Sequence, residues 1–333
     1  MADPAIRLPY WSDWGFMLKI SGIHSEQDAP ALAARPNWLK VTWSLFRPHT
    51  LTASFIPVLI GSALAWQSTG HLRVLLLAAM LLASVLIQAA TNMFNEYFDY
   101  VRGLDSPESV GISGAITLDG VHPAVVFRLA VASLTVSTLL GVFICAQSSW
   151  WLAPIGVLCM MAGYFYAGGP HPISATPFGE LFAGGFMGSG IILLSCFIQQ
   201  KFVNSFDLLA SIPSAILIGA ILTANNIRDL EGDREHGRHT LVILLGHAKA
   251  VRFLAGGLIA ANLWIAALVA ARALPPGALL ALGSLLPSLA AIRILRAGGT
   301  PAQMMPGMKR VAQTNTLFGI LLLIGLLIHI SPV

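Results

Sequence analysis

Charge is what this sequence has least of. Asp, Glu, Lys and Arg make up only 10% of its 333 residues, where a soluble domain carries about a quarter. That is too little polar surface to cover a water-soluble globule. The same scarcity excludes intrinsic disorder, which needs low hydrophobicity and high net charge. A nucleic-acid module is excluded too: the net charge is only +4, and the pI near 9.1 is read as a membrane-orientation signal. Cysteine is almost missing. Cys145, Cys159 and Cys196 stand in apolar stretches with no C-x-x-C spacing and no even count, which removes a disulfide framework and a zinc site and leaves buried thiols. The first 40 residues lack the succession of charged, apolar and small-residue regions that marks a signal peptide.

Apolar residues fill the space that charge leaves, at 56% of the chain and a mean hydropathy of +0.75. Crossing a bilayer takes about 20 mostly apolar residues. Nine segments reach that length, near 45–67, 74–98, 124–146, 150–168, 179–199, 207–228, 249–271, 276–295 and 308–330. The predicted fold is all-α: a polytopic bundle of nine transmembrane helices around a central cavity open to the cytoplasmic face. With alternating crossings one face receives only Arg73, Lys201 and Arg272 of the nineteen basic residues. Short cytoplasmic loops hold the excess of Lys and Arg, so the N-terminus is expected in the cytoplasm and the C-terminus outside, in a cell (inner or plasma) membrane. Residues 1–44, with Trp11, Trp14, Phe16 and Trp38, read as an interfacial segment with indole rings at headgroup depth, preceding a transmembrane domain over 45–333. Glycines such as Gly184, Gly185, Gly188 and Gly190 suit close helix packing, and Pro57, Pro154, Pro213 and Pro287 read as tolerated kinks.

The few acids are unevenly placed. Nine of the fifteen fall in two windows: Glu96, Asp99, Asp105, Glu108 and Asp119, then Asp229, Glu231, Asp233 and Glu235. Asn92, Asn95 and Asp99 are spaced 0, 3, 7, and Asn226, Asp229 and Asp233 repeat that spacing. On an α-helix it puts all three side chains on one face. Each window therefore predicts an amide-and-carboxylate stripe at the cytoplasmic end of a span, and an internal repeat of four-helix units would bring both to one cavity. Crowded carboxylates near a low-dielectric region repel one another unless a cation neutralises them. Oxygen donors from Asp and Asn suit Mg²⁺, which keeps open positions that substrate phosphates complete. Arg102, Arg228, Arg234 and Arg238 interleave with the acids, as a metal-diphosphate site requires and a pure cation site does not. A single window would equally describe a solvated helix end. Glu108, Asp119 and Glu235, and the histidines 122, 171, 236 and 239, read as loop side chains, since no metal-ligand spacing such as H-E-x-x-H is present.

With N-E-Y-F-D-Y-V-R-G-L-D at 95–105, Y-F-Y-A-G-G-P-H-P-I at 164–173 followed by G-E at 179–180, N-N-I-R-D-L-E-G-D-R-E-H-G-R-H-T-L at 225–241 and R-P-H-T-L at 47–51, the chain resembles the UbiA superfamily of intramembrane aromatic prenyltransferases. Within it the likeness is to the 1,4-dihydroxy-2-naphthoate polyprenyltransferases of menaquinone biosynthesis. Glu96 stands where these commonly have Asp, and Arg238 where they commonly have Lys. The resemblance implies Mg²⁺-dependent transfer of a polyprenyl group from its diphosphate to dihydroxynaphthoate with loss of CO₂, inside membrane lipid and without nucleic acid. It implies Asn95 and Asp99 at one Mg²⁺ with Asp105 in support, and Asp229 and Asp233 at a second. Arg47, Arg102, Arg228 and Arg238, with Asn92 and Asn226, are the expected diphosphate contacts. Tyr164 and Tyr166 are expected beside the reacting centre. Taken singly, each arginine also fits a snorkelling charge and each tyrosine an interfacial belt. Two competing readings stay open: a divalent-cation transporter, which would place its acids nearer the bilayer midplane, and an enzyme of the same kind acting on 4-hydroxybenzoate, homogentisate, a chlorophyllide or menadione.

Overall fold

Residues 37–105, 113–169 and 171–328 are described by a computed structural model, the His49 side chain excepted. Trp11, Trp14, Phe16 and Glu108 lie outside them. The helices are α1 Trp38–Phe46, α2 Pro48–Thr69, α3 Val74–Val101, α4 Pro123–Gln147 and α5 Leu152–Ala167. They continue with α6 Gly179–Gln200, α7 Ser205–Arg228, α8 Leu230–Glu235, α9 Leu241–Leu245, α10 His247–Ala270, α11 Pro276–Ala297 and α12 Pro301–Leu327. Among the described residues, eight helices are long and apolar enough to cross a membrane: α2, α3, α4, α6, α7, α10, α11 and α12. The expected span at 150–168 is the exception. Its helix, α5, has 16 residues, about 24 Å at 1.5 Å per residue, short of a hydrocarbon layer of about 30 Å.

α5 still joins the two ends of the bundle. Ser148, just before it, donates to the Ile198 carbonyl near the end of α6 at 3.3 Å, and Ala167 at its close accepts from Arg102 beyond α3 at 2.7 Å. Arg73 and Lys201 both reach the Gln147 carbonyl, at 2.7 and 3.4 Å. Two of the three basic residues assigned to the sparse face therefore do meet at one end. Arg102 and Arg238 gather with the acids at the other.

Small residues set the packing where the site is built. α6 opens into a π-helical stretch over Gly184–Gly190, and a Cβ on Gly184 would lie 2.3 Å from the Ala215 carbonyl of α7, one on Gly188 2.4 Å from its Cα. Only glycine permits that approach, and it brings the N-terminal end of α6 against the C-terminal end of α7. α1 is amphipathic: Val41 and Leu45 are buried with Ala89, Ala90 and Met93 of α3, while Leu39 and Trp43 are exposed. It ends at Arg47, whose φ of 47° is left-handed. Pro48 follows, and a residue before proline is pushed out of the right-handed helical region. The resulting kink costs of order 1–3 kcal/mol in a residue with a Cβ and turns the Arg47 side chain toward α3.

Candidate active site

The first stripe lies on an unbroken helix. Asn92, Asn95 and Asp99 occupy the last turns of α3, but they do not share one role. Asn92 is buried, its amide donates to the Phe46 carbonyl and to Thr50 Oγ1 at 3.1 Å each, and its carbonyl accepts from Gln88 at 3.2 Å. Both of its amide N–H groups are used to tie α3 to the α1–α2 kink, which leaves the carbonyl oxygen one lone pair for its expected part in diphosphate binding. Asn95, one turn on, is half-buried and has no side-chain hydrogen bond among the described residues, leaving its oxygen available to a ligand. Asp99, a further turn on, reaches the site proper.

The second stripe is not on one helix, contrary to the spacing argument. α7 stops at Arg228, Asp229 takes φ −96° and ψ 8°, and α8 starts afresh at Leu230. The break separates Asp229 from Asp233. Arg228 is buried, its guanidinium clamps the Asp229 carboxylate with two bonds, Nε at 2.7 Å, and its remaining edge lies against the sulfurs of Met305 and Met308. An Arg side chain so engaged holds the Asp229 carboxylate in place. Asn226 is buried and donates to Glu180 Oε1 at 2.9 Å. That bond ties α7 to α6 and leaves Asn226 a second N–H and its carbonyl oxygen.

One guanidinium joins the two windows. Arg238, in the loop between α8 and α9, places Nη2 3.3 Å from Asp99 Oδ1 and Nη1 3.3 Å from Asp233 Oδ1. Its backbone N–H donates to the Asp233 carbonyl at 3.0 Å, and the neighbouring His239 N–H donates to the Ala175 carbonyl at 2.9 Å, so the loop is fixed at both sides. Asp105 comes in from the loop after α3. Burial, with the Asp99 and Glu96 carboxylates nearby, pushes its carboxyl up to about 7. Burial likewise raises Asp233 to about 6, against the opposing pull of Arg238 and with help from Asp229 and Asp99. In both, loss of solvation favours the neutral acid.

Arg102 is less free than expected. It donates to the Ala167 carbonyl at 2.7 Å and the Gly169 carbonyl at 3.1 Å, and stacks over the Phe98 ring at 5.4 Å, capping α5. Burial lowers its pKa from the usual guanidinium value. Arg47 contributes Nη2 to Glu96 Oε2 at 3.4 Å, and its buried Nε has no partner. The two tyrosines, two residues apart on α5, point to different sides of it. Tyr164 packs edge-on against Phe94 and Phe98 of α3, with ring centroids at 5.4 and 5.7 Å. That makes it part of an aromatic cluster on the α3 side of α5. Tyr166 faces inward, where it senses the charges of Glu180, Arg238 and Asp99.

Two glutamates in the quoted motifs received no role from the sequence. Glu96, 1% exposed, accepts from Arg47 and from the backbone N–H groups of Ser113 at 3.2 Å and Ile116 at 3.3 Å, so it anchors the loop over the site. Glu180 is the acid that Asn226 meets. The available signal was an acid inside or next to a long apolar run, where ionisable groups are costly and hence functional.

Among the described residues no three His, Cys, Asp or Glu side chains converge as the ligand set of one cation. Mg²⁺ is compatible with that. It is usually bound through one or two carboxylates, with waters and substrate phosphates completing the octahedron, and Asp99, Asp105, Asp233 and Asn95 offer only oxygen donors beside arginines suited to phosphate. The residues present therefore fit the ion.

Several known proteins share this plan. Residues 54–308 match the family described as UbiA prenyltransferase family. The 1,4-dihydroxy-2-naphthoate octaprenyltransferase of Bacillus subtilis (strain 168) is 50% identical over 289 residues, 87% of this chain and 93% of that protein. A UbiA homolog from Aeropyrum pernix K1 superposes with a TM-score of 0.64 at 17% identity, covering 84% of this chain and 98% of that one. A UbiA homolog from Archaeoglobus fulgidus, solved bound to DMAPP and Mg²⁺, gives 0.57 at 13% identity, with 84% and 98% covered. At these identities the two solved structures establish the fold alone. Sequence motifs, helical plan and the family match over most of the chain agree, and the chain belongs to the UbiA prenyltransferase family.

Proposed function

We propose that this protein transfers a polyprenyl group from polyprenyl diphosphate to 1,4-dihydroxy-2-naphthoate, with loss of CO₂, as a step of menaquinone biosynthesis in the cell membrane. The observation that carries the reading is the Asp99–Arg238–Asp233 bridge, which draws both acid-bearing helix ends to one point. A diphosphate arriving there meets Arg238 between two carboxylates of its own sign of charge, so it enters together with divalent cations. Asn95, Asp99 and Asp105 would hold one Mg²⁺ and Asp229 and Asp233 a second, and the ions would supply neutralisation of the charge that develops on the departing diphosphate. Arg238 and Arg47 take remaining phosphate oxygens. Asp99 and Asp233 position the headgroup so that the allylic C–O bond faces the inner side of α5, where Tyr166 lies. Tyr166 screens the allylic cation with its ring face, and the surrounding apolar helices keep water from capturing it.

The acids stand at the end of the bundle that also holds the arginines, which orients that end to the cytoplasm by the distribution of Lys and Arg. Residues 45–333 form the transmembrane enzyme domain, preceded by the segment 1–44. The naphthoate acceptor is favoured over other aromatics by the likeness to the Bacillus subtilis protein across most of both chains. The decisive assay incubates membranes with dihydroxynaphthoate and a polyprenyl diphosphate, with and without chelator. Mg²⁺-dependent prenylated, decarboxylated product by mass spectrometry is the expected result. Its absence, with diphosphate released on another aromatic, would replace the acceptor. No diphosphate release with any aromatic would overturn the reading.

A further inference from the structure

Glu180 has no part in holding diphosphate, yet it is 6% exposed at the start of an apolar helix. Its Oε1 accepts from Asn226 Nδ2 at 2.9 Å, while its Oε2 is buried with no hydrogen-bond partner. No ion pair of the described residues includes it. An acid oxygen left unmet in such a place is destabilising unless a ligand meets it. α6 and α7 are so close here that a Cβ on Gly219 would lie 3.0 Å from the Glu180 carbonyl. The Asn226 amide holds the carboxyl between the two helices.

Position and chemistry say what would satisfy it. The Asn226 that Glu180 meets at 2.9 Å stands on α7 three residues before Asp229, so Glu180 lies about one helical turn from the second acidic window. The diphosphate donates no hydrogen bond and carries the same sign of charge. An aromatic acceptor carries hydroxyl groups. The unmet Oε2 and the adjacent Asn226 amide, which keeps an acceptor oxygen and a second N–H, form a polar pair suited to an aromatic hydroxyl.

We infer that Glu180 is the proton acceptor for the acceptor's hydroxyl next to the carboxylate-bearing ring carbon, with Asn226 holding its carboxyl in line; this rests on the naphthoate reading above. In the step, the allylic C–O bond breaks with its electron pair leaving on diphosphate. The ring carbon bearing the carboxylate bonds to the isoprenoid carbon. The hydroxyl proton passes to Glu180 Oε2, and the O–H electron pair stays on oxygen as the ring ketone forms. Loss of CO₂ then returns the C–C electron pair to the ring, and the oxygen takes its proton back from Glu180. No proton is gained or lost overall, so the carboxylate is regenerated in each turnover.

The test compares full-length enzyme, wild type, Glu180→Gln and Glu180→Asp, with dihydroxynaphthoate and with its ether methylated on that hydroxyl. Glu180→Gln is expected to lower kcat about 100-fold, within the range of general acid–base catalysis, while the KM for polyprenyl diphosphate moves less than about twofold. Glu180→Asp restores part of the rate. The methyl ether slows wild type by a factor similar to the Gln substitution and slows Glu180→Gln no further, because both remove one proton transfer. Turnover of Glu180→Gln within about threefold of wild type, or an ether effect of equal size in both proteins, overturns the proposal. Should Glu180→Gln not accumulate, wild type alone decides it, since undiminished turnover of the ether is the contrary result. Failure of the naphthoate reading looks different: wild type makes no prenylated naphthoate but prenylates another hydroxylated aromatic. The same comparison, run on that aromatic and its ether, then decides the role of Glu180.

Discussion

The two acidic windows have the same spacing and different structures. On α3 the helix is continuous to Val101, so Asn92, Asn95 and Asp99 follow one another down a single face toward the site. On the other side the helix breaks at Asp229, and Asp233 reaches the site from a separate short helix. The first window holds its innermost residue, Asn92, as a structural tie and leaves the outer two for ligands. The second holds both Asn226 and Asp229 in existing bonds, to Glu180 and Arg228, and leaves Asp233 to meet Asp99 through Arg238. Equal spacing in sequence thus gave unequal availability, because a side chain's partners are fixed by the helices packed against it.

The sharpest way to break the symmetry is to neutralise its acids one at a time. Asp99→Asn is expected to lower prenyl transfer by more than roughly 100-fold, since charge stabilisation of the departing diphosphate is lost, measured in membranes at matched protein content. Asp229→Asn should cost less, on the order of tenfold, because Arg228 already neutralises that carboxylate. Equal losses would mean that Asp229 leaves Arg228 when substrate binds. Arg238→Lys should also lower turnover by about tenfold, as a point charge cannot span two carboxylates as a guanidinium does; unchanged turnover would show the bridge to be dispensable.

Proton competition offers a smaller test of the same comparison. The raised values of Asp105 and Asp233, about 7 and about 6, mean that both acids hold protons which a divalent cation must displace. As pH falls from 8 to 6 the protonated fraction rises, so the Mg²⁺ concentration for half-maximal activity should increase, by up to about tenfold per unit for each acid below its value. Asp105→Asn should flatten the part of that dependence near pH 7. An Mg²⁺ requirement independent of pH would show that these acids do not hold the ion. The smallest effect separates the two asparagines of α3. Asn92→Ala should lower thermal stability in detergent, by about 1–3 kcal/mol for the groups left unmet, whereas Asn95→Ala should leave stability alone and raise the Mg²⁺ requirement.

Much of this was readable from residues in order. Long apolar runs dictated an all-helical membrane bundle, because a backbone in lipid must satisfy its own hydrogen bonds. The clustering of scarce acids with arginines pointed to one end of the bundle, where Arg238 meets Asp99 and Asp233, since a charge is kept near hydrocarbon only at a cost. The short length of α5 was hidden by the apolar residues that flank it. The partners of Asn92 were hidden because Phe46 and Thr50 flank a left-handed kink at Arg47 in a different part of the chain. Tyr164 and Tyr166 looked equivalent as a pair, and only the neighbours of α5 told them apart. Glu96 and Glu180 stood in the motifs without a function, since burial and an unmet oxygen are properties of packing.

The sequence by itself therefore determined the class of fold, the membrane setting and which short stretches gather acids with arginines, because composition and periodicity are local and survive without contacts. Tertiary structure decided which members of those stretches are free to act. Arg238 becomes the bridge because its loop is fixed to Ala175 on one side and Asp233 on the other. Glu180 is left with an unpartnered oxygen where α6 and α7 approach closely at Gly219. Such assignments depend on distances across the bundle, which no spacing along one helix encodes.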